Sequence, residues 1–288
     1  MNFETKAIHG VKTPEKGIEN WGSTLNLATT FPIKTYSEWQ EFEYSRVSNP
    51  TRKDFETMIA LLENGKHGFG FSSGMAATSS VFTMFEAGDH FVLSLDIYGG
   101  TYRIINDIFN KFGFEATFVD TTDLQQIEAA VRPNTKAIFI ETPSNPLLEV
   151  TDIRGVVAIA KRHNLLSMVD NTFMSPVLQR PLELGVDIVL HSATKFLGGH
   201  NDIIAGAVVV NSDELAEKIS FAQVAIGAIL SPFDSWLLLR SMKTLKLRVE
   251  KAQANTLKLL DFLRSHPEVE KVYYPTEAHN KGKAVHES

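Results

Sequence analysis

An α/β fold built on a largely parallel sheet is the architecture this sequence predicts, on three observations. Short apolar runs recur through the middle of the chain, most of them lack the polar alternation of a solvent-facing strand, and helix-length segments fall between them. A strand that is apolar along its whole length is buried on both faces, and helices packed on both sides of a parallel sheet produce that burial. With 288 residues, 43% of them hydrophobic, the chain has material for one large domain and a smaller piece.

In chain order, residues 1 to about 45 mix Gly, Pro, Thr and aromatic residues without a sustained period, which predicts an irregular arm. Residues 91–95, 116–119, 137–140, 165–169, 186–190 and 205–210 read as strands. Helices are expected over 102–112, beginning near Gly99-Gly100-Thr101, over 124–131, and over 153–163 behind the capping pair Thr151-Asp152. From Phe233 to His266 the spacing of Leu237, Leu238, Met242, Leu245, Val249, Ala252, Leu257, Leu260 and Leu263 predicts long helices with a buried face, stopped by Pro267. Residues 269–274 then read as the first strand of another unit. This divides the chain into an arm (1–45), a large domain (46–240), and a linking helix with the start of a C-terminal domain (241–288).

Composition removes several functions. The balance of 28 basic and 34 acidic residues, net −6, contains no basic block, so a nucleic-acid surface is unsupported. The absence of cysteine excludes thiolate catalysis and disulfides. No apolar leader follows Met1 and no stretch has membrane-span length, so a soluble cytoplasmic protein is expected. The nine histidines are dispersed and no metal centre is expected; His191 reads as a packed strand-end residue.

Open α/β sheets bind ligands beyond the carboxyl ends of their strands, which gives weight to Tyr98, residues 141–146, residues 170–172 and residues 191–195. Lys195 follows one buried run and Asp170 ends another. An amine and a carboxylate on successive strands suit pyridoxal phosphate (PLP), whose aldehyde takes a lysine as a Schiff base and whose ring nitrogen needs an acid beside it. Residues 72–80, Ser-Ser-Gly-Met-Ala-Ala-Thr-Ser-Ser, put small residues before a helical run, where exposed N–H groups and the helix dipole favour an anion. Ser192 and Thr194 offer hydroxyls to the same group. The pattern is neither the lysine-containing loop of NTPases nor a dinucleotide-binding glycine motif.

Six segments, residues 44–52 (YSRVSNPTR), 73–77 (SGMAA), 98–102 (YGGTY), 141–146 (ETPSNP), 169–173 (VDNTF) and 192–200 (SATKFLGGH), together resemble the transsulfuration, or Cys/Met-metabolism, family of PLP enzymes in order and spacing. The resemblance implies PLP fold type I, aspartate-aminotransferase-like, with a mainly parallel seven-stranded sheet and here an incomplete C-terminal α/β domain. It implies that Lys195 carries PLP, that Asp170 holds the ring nitrogen protonated and that Tyr98 stacks on the ring. Gly74, Met75, Ser192 and Thr194 would bind the phosphate, and Asn145 the phenolic oxygen or the substrate carboxylate. Tyr44 and Arg46 would reach the phosphate of a neighbouring subunit, within a homotetramer of active-site dimers. The substrate implied is a sulfur-containing amino acid. Glu43, beside Tyr44, suits the distal ammonium of cystathionine, and this favours cystathionine γ-lyase over cystathionine γ-synthase, cystathionine β-lyase or methionine γ-lyase. The Ser-Leu-Gly-type segment and later arginine of such enzymes cannot be placed in residues 271–288, so a noncatalytic PLP-binding scaffold is the alternative from another class.

Overall fold

Strand β1 (His67–Phe71) comes first, and the six apolar runs become β2 (His90–Ser94), β3 (Glu115–Val119), β4 (Thr135–Glu141), β5 (Leu166–Asp170), β6 (Ile188–His191) and β7 (Gly206–Val210). They form one mixed sheet in the order β1-β7-β6-β5-β4-β2-β3. Eleven α-helices accompany them among the described residues: α1 (Phe3–His9), α2 (Pro50–Leu62), α3 (Gly74–Phe82), α4 (Gly99–Asp107), α5 (Leu124–Ala129), α6 (Ile153–His163), α7 (Ser175–Leu178), α8 (Asp213–Ile226), α9 (Pro232–Met242), α10 (Leu245–Ser265) and α11 (Lys283–His286). This computed structural model describes residues 1–11, 22–33, 35, 38 and 40–287, so residues 12–21, 34, 36, 37 and 39 of the predicted arm lie outside the described residues. None of the described helices is long and apolar enough to cross a membrane. Two compact units result, residues 1–84 with 190–246 and residues 85–189 with 247–288.

In the first unit β1 runs antiparallel to β7, with His67 opposite Val210 and Phe71 opposite Gly206. The sequence reading does not locate β1, because its residues His-Gly-Phe-Gly-Phe carry two glycines, which weaken a strand signal. The structure gives those glycines a purpose: a Cβ at Gly68 would lie 2.2 Å from the Glu56 carbonyl oxygen of α2. Close approach lets α2 bury Phe55, Met58, Ile59 and Leu62. Each such side chain contributes roughly 1.5–3 kcal/mol, more than the roughly 0.5–1 kcal/mol that a strand glycine costs. Pro50 at the first turn and Asn49, whose side chain accepts the N–H groups of Thr51 and Arg52, start the helix.

The second unit holds the parallel pairs β2–β3, β2–β4 and β4–β5. Every residue of β2 is buried, as its lack of polar alternation predicts. Helix α6 has the predicted bounds and ends on Asn164, which adopts φ 54°, with Lys161, Arg162 and His163 in the last turn. The predicted cap is corrected. Asp152 occupies the N-cap position without a side-chain capping bond, and Thr151 Oγ1 bonds Thr121 Oγ1 at 2.7 Å instead. The helix expected over 102–112 starts at Gly99 and stops at Asp107, and a separate 3-10 turn over Phe109–Phe112 follows. Stacking of Phe109 on Phe114, with centroids 5.2 Å apart, and the left-handed Gly113 pull the chain off the helical path.

Residues 269–274 do not form a strand. Their β-type composition is insufficient because a strand needs a neighbour for its N–H and C=O groups, and none of the described strands lies alongside.

Candidate active site

Lys195 sits on a tight turn directly after β6. Its N–H donates to the Ser192 carbonyl at 3.1 Å, and its own carbonyl accepts from the Gly199 N–H at 2.7 Å. The side chain is exposed, while Ala193 and Leu197 beside it are buried and anchor the turn. Thr194, read from the sequence as a phosphate donor, turns its hydroxyl to Ala205. Oγ1 donates to the Ala205 carbonyl at 3.2 Å and accepts the Ala205 N–H at 3.0 Å. This clasp fixes the turn against the chain entering β7.

Helix α3 meets the same turn. Ser73 caps it by accepting the Ala76 N–H at 3.0 Å, so the N–H groups of Gly74 and Met75 belong to the first turn, where no intrahelical acceptor exists. A Cβ on Gly74 would stand 2.9 Å from Ser192 Cβ, and one on Gly206 would stand 2.1 Å from the Ser73 carbonyl oxygen. Backbone contact therefore gathers Gly74, Met75 and Ser192 at one helix N-terminus, a setting that favours an anion.

Tyr44 and Arg46 are brought together on the surface of the same unit. The Arg46 guanidinium lies 5.4 Å from the Tyr44 ring centroid and donates to the Val224 carbonyl at 2.6 Å. Glu43, just before them, is exposed. Beneath this segment lies Arg52, which sequence reasoning quoted within a motif and gave no role. It is 1% exposed, and its guanidinium donates to the carbonyls of Ser45 at 2.7 Å and Val47 at 2.8 Å and pairs with Glu56 at 3.4 Å. His191 is packed as expected, its Nε2 lying 2.6 Å from Oε1 of the buried Glu63.

The second unit holds Tyr98, Asn145 and Asp170. Tyr98 is the N-cap of α4, with its side chain 51% exposed. Asp170 ends β5 and accepts the Thr172 N–H at 2.9 Å. Between these two stands Glu141, named in the sequence reading only as part of a strand-end segment. Its Oε2 accepts the Tyr98 N–H at 2.7 Å, and it faces Asp170 in register across β4 and β5. Burial, then the charge of Asp170 and to a lesser degree that of Asp96, pushes the Glu141 carboxyl up to about 8 against the lowering effect of the Tyr98 N–H. Asn145 is exposed at a cis bond to Pro146; the preceding Ser144 donates its hydroxyl to Asp96 at 2.5 Å. The signal for Glu141 in the sequence was its place directly after the apolar run of β4, the same signal that marked Asp170.

A family model described as Cys/Met metabolism PLP-dependent enzyme matches residues 4–288. The chain is 46% identical over 286 residues to cystathionine beta-lyase MetC of Bacillus subtilis, covering 99% of this chain and 73% of that protein. It is 47% identical to cystathionine gamma-lyase of the same organism, over 98% of this chain and 74% of that protein. It is 49% identical to cystathionine gamma-synthase of Haemophilus influenzae over 89% of this chain and 69% of that protein. Among solved structures, cystathionine gamma-lyase from Lactobacillus plantarum complexed with L-serine superposes with a TM-score of 0.97 at 48% identity, over 100% of this chain and 75% of that one.

Proposed function

Because the chain belongs to the Cys/Met-metabolism family of PLP-dependent enzymes, we propose that it is a cystathionine γ-lyase, converting cystathionine and water to cysteine, 2-oxobutanoate and ammonia. The residues present fit the cofactor. The N-terminus of α3, pressed against Ser192, suits a phosphate dianion. The Asp170 carboxylate at the end of β5 suits a cationic ring nitrogen. When bound, PLP supplies an electron sink for the charge left on a substrate carbon after proton loss.

In this reading Lys195 Nζ would hold the cofactor aldehyde and would move the proton from and to the substrate α-carbon. Asp170 keeps the ring nitrogen protonated through opposite charge. The Tyr98 ring, half exposed at the start of α4, packs on the cofactor face. Gly74, Met75 and Ser192 hold the phosphate, with Thr194 securing the turn and adding its hydroxyl. Asn145 orients the phenolic oxygen or the substrate carboxylate. Tyr44 and Arg46 serve the phosphate of a neighbouring subunit in a cytoplasmic homotetramer of active-site dimers.

The preference for cystathionine as substrate rests on one observation: Glu43 stands exposed beside Tyr44, where its carboxylate can meet a distal ammonium. Relatives with lyase and synthase names share this scaffold at similar identity, so product analysis decides. The PLP-loaded protein is incubated with cystathionine, with methionine, or with an O-acyl-homoserine plus cysteine, and every keto acid and thiol is identified by mass spectrometry. Cysteine with 2-oxobutanoate from cystathionine is expected. Homocysteine with pyruvate would replace the reading by β-lyase chemistry, and robust synthesis from the acyl-homoserine by γ-synthase chemistry. Cofactor binding with no turnover would leave the noncatalytic scaffold.

A further inference from the structure

Tyr98 and Asp170 are linked through one side chain that neither the motif reading nor the proposed reaction uses. Glu141 is 8% exposed, accepts the Tyr98 N–H at 2.7 Å and lies opposite Asp170 in the parallel register of β4 and β5. It also lines a cavity of about 190 Å³ whose wall includes Asp96, Asp120, Ser144, Glu149 and Lys281. Lys281 in that wall is bound to Asp120 at 2.7 Å. The charges that oppose ionisation of Glu141 are those of Asp170 on β5 and, more weakly, Asp96 beyond β2.

Two adjacent carboxylates at a buried sheet edge do not both ionise near neutrality, and the more deeply buried one keeps the proton. Asp170 is less buried than Glu141 and receives the Thr172 N–H at 2.9 Å, a bond that favours its anion. We propose that Glu141 is a positioning residue working as a neutral acid: its Oε2 fixes the backbone of Tyr98 at the start of α4, and its retained proton, on Oε1, leaves Asp170 as the single negative charge of the pair. The direction of the Glu141 shift, upward to about 8 through burial and Asp170, agrees with that assignment. The inference rests on the reading of Tyr98 and Asp170 as cofactor residues; the location of the proton stands on the register and burial of the pair.

Two measurements separate these layers. Infrared difference spectra of the protein without cofactor, taken between pH of about 6 and 9, should show a protonated-carboxyl carbonyl stretch that is lost as pH rises. The band should be absent in Glu141→Gln, and in Asp170→Asn its loss should move to lower pH by about one unit or more. PLP titration followed by absorbance should give Glu141→Gln within about threefold of the parent, because an amide oxygen still accepts the Tyr98 N–H, and Glu141→Ala at least about tenfold weaker. Glutamine binding as poorly as alanine, alanine binding as well as the parent, or a band that persists in Glu141→Gln would overturn the inference. If the parent protein itself took up no PLP, the proposed function would fall, while the infrared experiment would still decide where the proton resides.

Discussion

Replacing Lys195 with Ala is expected to remove covalent PLP attachment and lower turnover of cystathionine by roughly 10⁴-fold, the upper end of what a positioned acid–base group contributes. The change should leave folding intact. The Lys195 side chain is exposed, and its turn is held by backbone bonds to Ser192 and Gly199 and by the Thr194 clasp on Ala205. Stability should therefore move by no more than about 0.5 kcal/mol, the usual range for a surface substitution. Borohydride reduction followed by peptide mass analysis should find a pyridoxyl adduct on Lys195 in the parent and none in the variant. Lys195→Arg should fail as completely, since a guanidinium keeps the charge but does not form the Schiff base. An adduct mapping only to another lysine, or undiminished turnover in either variant, would reject the assignment.

The second large effect concerns stability. Arg52→Ala should destabilise the protein by about 3–5 kcal/mol, because removing one partner of a buried ion pair strands the other. Here the stranded groups are Glu56 and the carbonyls of Ser45 and Val47, each now bonded at 2.7–3.4 Å. Glu56 still receives the Gly70 N–H and the Gln223 amide, which offsets part of the loss. Arg52→Lys should recover little, since an ammonium does not present the planar fork that spans two carbonyls. A urea midpoint matching that of the parent for Arg52→Ala would show that the segment carrying Tyr44 and Arg46 is held by something else. The same variant should also lose PLP more readily if that segment serves a phosphate.

Residues that announce themselves by position were legible in the sequence. Lys195, Asp170 and Tyr98 follow apolar runs, and the structure puts each at a strand end or helix start where ligand chemistry in α/β proteins occurs. Strands β2 to β7 were read to within two residues of their bounds from short apolar runs, which burial explains for β2, β4, β6 and β7 but not for the edge strand β3, where no residue is buried. Strand β1 escaped because Gly68 and Gly70 serve the close approach of the preceding helix α2, a packing requirement that the composition of the strand itself does not mark. Residues 269–274 failed in the opposite sense, having strand composition without a strand partner. Arg52 and Glu141 were present in quoted motifs, yet their roles depend on burial, which charged residues rarely show and which emerges only from tertiary packing.

The approach of Gly206 to Ser73 also bears on how such a chain can change over generations. With the Ser73 carbonyl oxygen only 2.1 Å from any Cβ placed there, every alternative residue must move backbone at the α3 start, so single mutations have no gradual route through this position. Glu43 sits in open surroundings in the same unit and meets no such barrier. Saturation mutagenesis should accordingly return almost no cofactor-retaining variants at Gly206 and many at Glu43; comparable tolerance at the two positions would contradict this. Substitution is thereby steered away from the packed start of α3 and toward the open segment around Glu43.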